Sequence, residues 1–149
     1  MKLAPPQAFR DDTLKYFTDF RKTIMNAVMS QQMNGCGGTT LGTIKDAISA
    51  GKTPETSDVV GLDAVTASRA LEVVADLFQE CDLPSVSLSQ WCFAVLARVE
   101  EPLNSDDQWQ IQCIRRKCEG AWTKLEESSP ELAPVNLLHV VCFDYFKQR

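Results

Sequence analysis

The amino-acid sequence predicts an all-α fold, a single-domain helical bundle of about five to six helices. Three observations carry this: apolar residues recur near the helical period of 3.6, no stretch alternates with period two over a convincing length, and no strand-helix-strand rhythm appears. The 149 residues fit one domain, because a single hydrophobic core commonly serves chains of about 100 to 200 residues. With 44% hydrophobic and 23% charged residues the chain has enough apolar material to bury a core rather than stay disordered. Residues 1–149 are thus expected to form one helical domain, with 31–62 mostly loop and flexible.

The first element follows Pro5 and Pro6, where Asp11 or Asp12 can cap a helix with apolar positions Leu14, Phe17, Ile24 and Val28, and with Lys15, Arg21 and Lys22 on its wet side. Gln31–Gly42 contains Gly35, Gly37, Gly38 and Gly42 beside Thr39 and Thr40. The backbone entropy of such a composition opposes a helix, so it reads as a flexible loop. Thr43–Ala50 is expected to form a short helix before a second loop through Gly51, Pro54 and Gly61. Asp63 is a candidate N-cap for a helix in which Ala67, Ala70, Leu71, Val74, Leu77 and Phe78 make a continuous stripe, ended by Asp82-Leu83-Pro84. Ser87 and Gln90 form a capping box, after which Leu88, Trp91, Cys92, Val95, Leu96 and Val99 repeat at helical spacing until Pro102. Ser105 and Gln108 offer a second box, and Asp106 and Asp107 complement the helix dipole. Ile111, Ile114, Cys118, Ala121, Trp122 and Leu125 then line a long helix that Ser128-Ser129-Pro130 closes. The last helix starts near Pro134 with a stripe of Leu137, Leu138, Val141, Cys142 and Tyr145, which Val135, Val140, Phe143 and Phe146 widen almost all round. Such a helix belongs at the centre of a bundle, or between its own bundle and a partner.

Composition removes several classes of function. A formal charge of −5 and a sequence pI of about 4.9 oppose phosphate-driven affinity, so no direct nucleic-acid contact is expected and basic protein partners suit the chain better. The same charge also serves ordinary solubility. No apolar run approaches the ~20 residues of a bilayer span, and Met1–Arg10 lacks the apolar region of a signal peptide. A soluble, intracellular chain without membrane contact is therefore expected. The six cysteines, Cys36, Cys81, Cys92, Cys113, Cys118 and Cys142, are expected to be reduced thiols.

Residues able to do chemistry are few. His139 is the one histidine, so any Ser-His or Cys-His nucleophile pair must use it as base. It lies between Leu138 and Val140 on the most apolar helix, where a hydrogen-bonded packing histidine is the commoner outcome. Cys113 and Cys118, five apart, are turned ~140° from each other on a helix and do not easily share an ion. His139 and Cys142, three apart, could share one only with two further ligands from a distance. Gly51-Lys52-Thr53 copies the end of a phosphate-binding loop, but that motif needs a preceding strand and a glycine where Asp46 stands. The carboxylate pairs Asp11-Asp12, Glu100-Glu101, Asp106-Asp107 and Glu126-Glu127 fall near helix ends, where capping and solvation explain them. No catalysis, cofactor or metal is expected. The competing class is a Cys/His metal-binding or catalytic protein centred on His139 and Cys142.

What remains is apolar surplus. The final helix together with Trp91, Phe93, Trp109 and Trp122 offers more aromatic surface than one stripe per helix requires. These residues either complete the core or leave a groove for an amphipathic helix, a recognition mode whose hot spots favour Trp, Tyr and Arg.

The order of segments also carries a resemblance. Gln90-Trp91-Cys92-Phe93-Ala94-Val95-Leu96-Ala97-Arg98-Val99-Glu100-Glu101-Pro102-Leu103 resembles the signature of the gemin-two family (survival-of-motor-neuron-interacting protein), a tryptophan-led helix ending in Leu-Glu-Lys-Pro-Leu. Ile114-Arg115-Arg116-Lys117-Cys118 is similar to its Leu-Ala-Arg-Arg-Cys. Pro134-Val135-Asn136-Leu137-Leu138 and Asp144-Tyr145-Phe146-Lys147-Gln148-Arg149 are similar to its terminal Pro-Ala-Leu-Asn-Leu-Leu and Arg-Tyr-Phe-Asp-Gln-Arg. The specific part covers Leu71–Arg149, with Leu71, Leu77 and Phe78 matching more loosely, and Met1–Ala70 adds a leading helix and loop in suitable places. Two departures stand out: Gln90 replaces the arginine common before the tryptophan, and the family's extended amino-terminal arm, which reaches the Sm F and E subunits, is missing. The chain therefore reads as a carboxy-terminal fragment starting at Met1.

The resemblance implies a non-catalytic helical binding domain of the survival-of-motor-neuron complex, active in spliceosomal snRNP core assembly in cytoplasm and nucleus. Its implied partners are the amphipathic amino-terminal helix of the survival-of-motor-neuron protein and Sm proteins, chiefly the Sm D pair; the alternative is an unrelated helical adaptor. The residues expected to meet a partner are Gln90, Trp91, Ala94, Arg98, His139, Phe143 and Phe146, which lie on or beside faces left over once one core stripe is assigned.

Overall fold

Helix ends in this chain are set by local chemistry, not always at the residues the pattern suggests. The computed structural model describes residues 3–34 and 40–148. Within them lie α1 (Gln7–Asn34), α2 (Leu41–Ser49), α3 (Thr56–Val60), α4 (Ala64–Glu80), α5 (Val86–Arg98), α6 (Ser105–Ala121) and α7 (Leu132–Val140), the last running on into a π-helical turn, Val141–Tyr145. No strand occurs among the described residues, so the all-α expectation holds, with seven α-helices rather than five or six. The cluster Gly35, Cys36, Gly37, Gly38 and Thr39 lies outside the described residues.

Capping explains most differences from the sequence reading. The cap residue needs extended backbone while its side chain accepts a bond from the first turn. Asp63 meets this for α4, where its Oδ1 accepts from the Thr66 N–H at 2.7 Å. For α5 the cap is Ser85 rather than Ser87, with ψ at 162° and the Leu88 N–H donating to its Oγ at 3.1 Å. For α6 it is Asn104 rather than Ser105, accepting from the Asp107 N–H at 2.7 Å. The first helix needs neither Asp11 nor Asp12, because Pro6 fixes the entry and its carbonyl accepts from the Arg10 N–H at 3.1 Å.

The span 31–62 is more helical than expected, since α2 and α3 lie in it. Thr40 and Thr43 form a capping box at the start of α2, and Ile44 from α2 with Val59 from α3 is fully buried, so each short helix is pinned by an apolar peg. The end of α2 is a Schellman motif: the Gly51 N–H donates to the Ile48 carbonyl and the Lys52 N–H to the Ala47 carbonyl, with Gly51 at φ 72°. Gly51-Lys52-Thr53 is thereby accounted for as a helix stop. The turn aims the Lys52 carbonyl at α5, where the Ser87 hydroxyl (2.7 Å) and the Trp91 indole N–H (3.0 Å) both donate to it.

The most enclosed helix is α5, not the final one. It packs against α1, α2, α3, α4 and α7, while α4 lies against α6, and α7 against α1 and α6. Phe17, Ile24, Leu71, Phe78, Leu96, Ile111, Ile114 and Leu138 are fully buried in the shared core. Each such side chain contributes about 1.5–3 kcal/mol of hydrophobic stabilisation. Arg21, expected on the wet side of α1, is instead 8% exposed. Its guanidinium donates to the carbonyls of Leu96, Ala97 and Val99, which the end of α5 leaves without intrahelical partners.

Candidate functional site

Once Phe17 is committed to the core, α1 still presents Tyr16 and Phe20, one turn apart on a neighbouring face. Both meet Phe93 from α5: ring centroids lie 6.0 Å apart for Tyr16 and Phe93, 5.7 Å for Phe20 and Phe93, and 6.1 Å for Tyr16 and Phe20, all near-parallel. Phe17 supports this wall from beneath, edge-on to Phe93 at 5.3 Å and to Tyr145 at 4.8 Å. The wall borders an open groove of about 340 Å³ whose α5 side is Ser89, Gln90 and Ala94. Pro134 and Leu137 of α7 close one side, and residues 53–56 with Val59 close the other. Apolar surface dominates, and Glu55 is the one charged side chain among the described lining residues. A larger cleft of about 400 Å³, between α4 and α6, is of another kind, holding Arg69, Glu72, Glu100, Asp106 and Asp107.

The residues singled out from the sequence separate into two groups. Gln90, half-buried, and Ala94 line the groove. Trp91 faces away from it, 2% exposed, tying α5 to the Lys52 carbonyl. Arg98 is fully buried and donates from Nε and Nη2 to the Leu62 carbonyl just ahead of α4. Phe146, 8% exposed, packs edge-on to Tyr145 and Phe17 beneath the Arg21 guanidinium. Of the surplus aromatics, Trp122 is buried with its indole N–H on the Asn136 side-chain oxygen at 2.8 Å, whereas Trp109 is exposed beside Arg116. Tyr16, Phe20, Ser89, Pro134 and Leu137 were not among the expected contacts. The available signal for the first two was the run Tyr16-Phe17-Phe20, one aromatic more than a single helical stripe uses.

His139 lies at a second junction, 3% exposed, with both ring nitrogens engaged. Arg10 has only donors, so its Nη2 at 3.1 Å makes His139 Nδ1 the acceptor, and the proton sits on Nε2, which donates to Glu119 at 2.9 Å. The ring is therefore neutral. Burial lowers its pKa, Arg10 adds to that, and Glu119 opposes it. Burial raises the Glu119 carboxyl, but hydrogen bonds from His139 and Arg115 outweigh this and hold it below its ordinary value. Arg10 also pairs with Asp144 at 2.8 Å and lies over the Phe143 ring, which stacks on His139 at 5.3 Å. His139 is thus a packing histidine whose two ring nitrogens tie α7 to α1 and α6.

Cys92, Cys118 and Cys142 are fully buried, which raises each pKa, and the described cysteines are free. Cys36 lies outside the described residues. Among the described residues no group of three or more His, Cys, Asp or Glu is placed to hold a metal ion. None of the described helices is long and apolar enough to cross a membrane.

Comparison with known proteins gives this arrangement a context. Gem-associated protein 2 of Xenopus laevis is 29% identical over 105 residues, 70% of this chain and 40% of the frog protein, so the chain spans less than half of that relative's length. A chain in the solved structure described as the 8S snRNP assembly intermediate matches with a TM-score of 0.81, covering 97% of this chain and 72% of that one at 22% identity, a likeness of fold. The family model for survival motor neuron (SMN) interacting protein 1 (SIP1) matches residues 2–149. With the whole described fold inside that match, the chain belongs to the survival motor neuron (SMN) interacting protein 1 (SIP1) family.

Proposed function

We propose that this chain is a non-catalytic scaffold in spliceosomal snRNP core assembly, and that the groove between α1, α5 and α7 holds the amphipathic amino-terminal helix of the survival motor neuron protein. One observation supports this above the others: a member of a family named for that interaction carries a preformed, aromatic-walled groove with little charge. The stacked Tyr16, Phe20 and Phe93 rings supply rigid contact area that loses little side-chain entropy on binding. Another surface of the domain meets the Sm D pair, and the net charge of −5 favours such basic clients over direct RNA contact. The domain's part is to hold Sm proteins in a partial ring until RNA is loaded, and it works in cytoplasm and nucleus.

The test is calorimetric titration of the folded chain with the survival motor neuron amino-terminal helix as a peptide. Binding at micromolar affinity or tighter, with one peptide per chain, is expected. Phe93→Ala removes the ring shared by both stacks and should weaken binding about thirtyfold, the range of an interface hot spot. Absence of binding to folded wild-type protein would remove the proposal.

A further inference from the structure

Ser89 has no evident use in the free chain. It is 1% exposed, lines the groove beside Gln90, Phe93 and Ala94, and its hydroxyl oxygen has no hydrogen-bond partner among the described residues. Its neighbours on α5 show the contrast, since Ser85 caps the helix and Ser87 binds the Lys52 carbonyl. A buried hydroxyl without a partner has given up its bonds to water and received nothing, so alanine would suit position 89 better if the groove stayed empty.

We infer that the Ser89 hydroxyl is a specificity-determining contact, reading one uncharged hydrogen-bonding side chain within the otherwise apolar stripe of the docked helix. The inference rests on the reading that the groove holds the survival motor neuron helix. A serine hydroxyl both donates and accepts and turns about one bond, so Ser, Thr, Asn or Gln on the guest can satisfy it. A charged guest residue cannot replace these at that depth, because the lining offers no counter-charge there and desolvation would go uncompensated. Glu55, on the 53–56 side, instead favours a cation at the guest's solvent-facing edge. Because the hydroxyl is closed off while the groove is empty, the contact forms as the Ser89 side chain turns about its Cα–Cβ bond towards the seated helix.

A double-mutant cycle tests this. The parent survival motor neuron helix peptide, and versions with each uncharged polar residue changed singly to an apolar isostere (Ser→Ala, Thr→Val, Asn→Leu), are titrated calorimetrically against the wild-type chain and Ser89→Ala. One replacement should weaken binding to wild type about tenfold and lose most of that effect against Ser89→Ala. The melting temperature of free Ser89→Ala should be unchanged or higher. Parent binding with every replacement behaving alike on both chains overturns the inference and leaves the groove reading intact. A fall in melting temperature of more than ~3 °C for Ser89→Ala also overturns it, since the hydroxyl would then have a partner in the free chain. Failure of the parent peptide to bind overturns the groove reading and the inference together.

Discussion

Replacing Arg21 with methionine is expected to destabilise the free domain by about 3 kcal/mol, a figure built up from the hydrogen bonds it makes. Nη1 donates to the Leu96 carbonyl at 3.0 Å and the Ala97 carbonyl at 3.3 Å, and Nη2 donates to the Val99 carbonyl. Methionine keeps an apolar stem of similar length, so packing changes little. Bonds from a charged donor contribute about 1.5–3 kcal/mol each, and the 3.3 Å contact shares its donor and counts for little, which leaves about 3–6 kcal/mol from two. Removing a buried cation relieves part of its desolvation, which brings the net to the lower end of that range. The contact with Glu101, 3.4 Å long and half exposed on the acid's side, adds nothing to the sum. In a domain of this size about 3 kcal/mol corresponds to a fall of about 6–12 °C in Tm, readable by far-UV circular dichroism or scanning calorimetry. Arg21→Lys keeps the charge without the fork and should lie between the two. A loss under ~1 kcal/mol for the methionine variant, with an unchanged denaturant slope, would refute the claim that Arg21 closes the end of α5.

Other outcomes follow from the same structure. The His139 pKa is lowered on folding, so below about pH 6.5 the unfolded chain binds a proton that the folded one refuses. Stability from this residue is complete above that pH and declines as pH falls through the folded value; His139→Gln should flatten the pH dependence of the urea midpoint between about pH 7 and 5. Gly51→Ala meets no neighbour within 4 Å, so its cost is the backbone strain at φ 72° alone, about 1–2 kcal/mol by urea denaturation, with Gly51→Asn losing less.

Apolar spacing made the large features of the fold legible. The stripes Leu71-Val74-Phe78, Leu88-Cys92-Val95 and Ile111-Ile114-Cys118 are buried as periodicity requires. Helix starts were less legible, because Ser85 and Ser87 are chemically the same cap and only the extended backbone after Pro84 chooses between them. α3 is five residues long, too short for periodicity, and is held by Val59 and Val60 from the tertiary side. Arg21 misled for a related reason: pattern sees a charge and assigns it to water, while the carbonyls it serves belong to a helix 75 residues away. The groove suffers from the same blindness. Gln90 and Ala94 could be found as leftovers on α5, but whether Trp91 or Phe93 faces the groove depends on the Lys52 carbonyl, which a distant glycine turn places.

Two arginines of α1 bracket the aromatic wall. Arg10 ties the start of the helix to Asp144 and His139, and Arg21 ties its middle to the end of α5, with Tyr16 and Phe20 between them. The elements gripped are those that build the rest of the groove, since α5 supplies Ser89, Gln90, Phe93 and Ala94, and the helix bearing His139 supplies Pro134 and Leu137. Phe17, fully buried between the two latches, stops the helix from rolling, so the faces of Tyr16 and Phe20 stay turned towards the opening. A groove held in this way changes little when a guest arrives, and more of the contact energy is left to appear as affinity. The buried charges of α1 therefore do more than stabilise the bundle: they fix an apolar concavity that an isolated core would have had every reason to close.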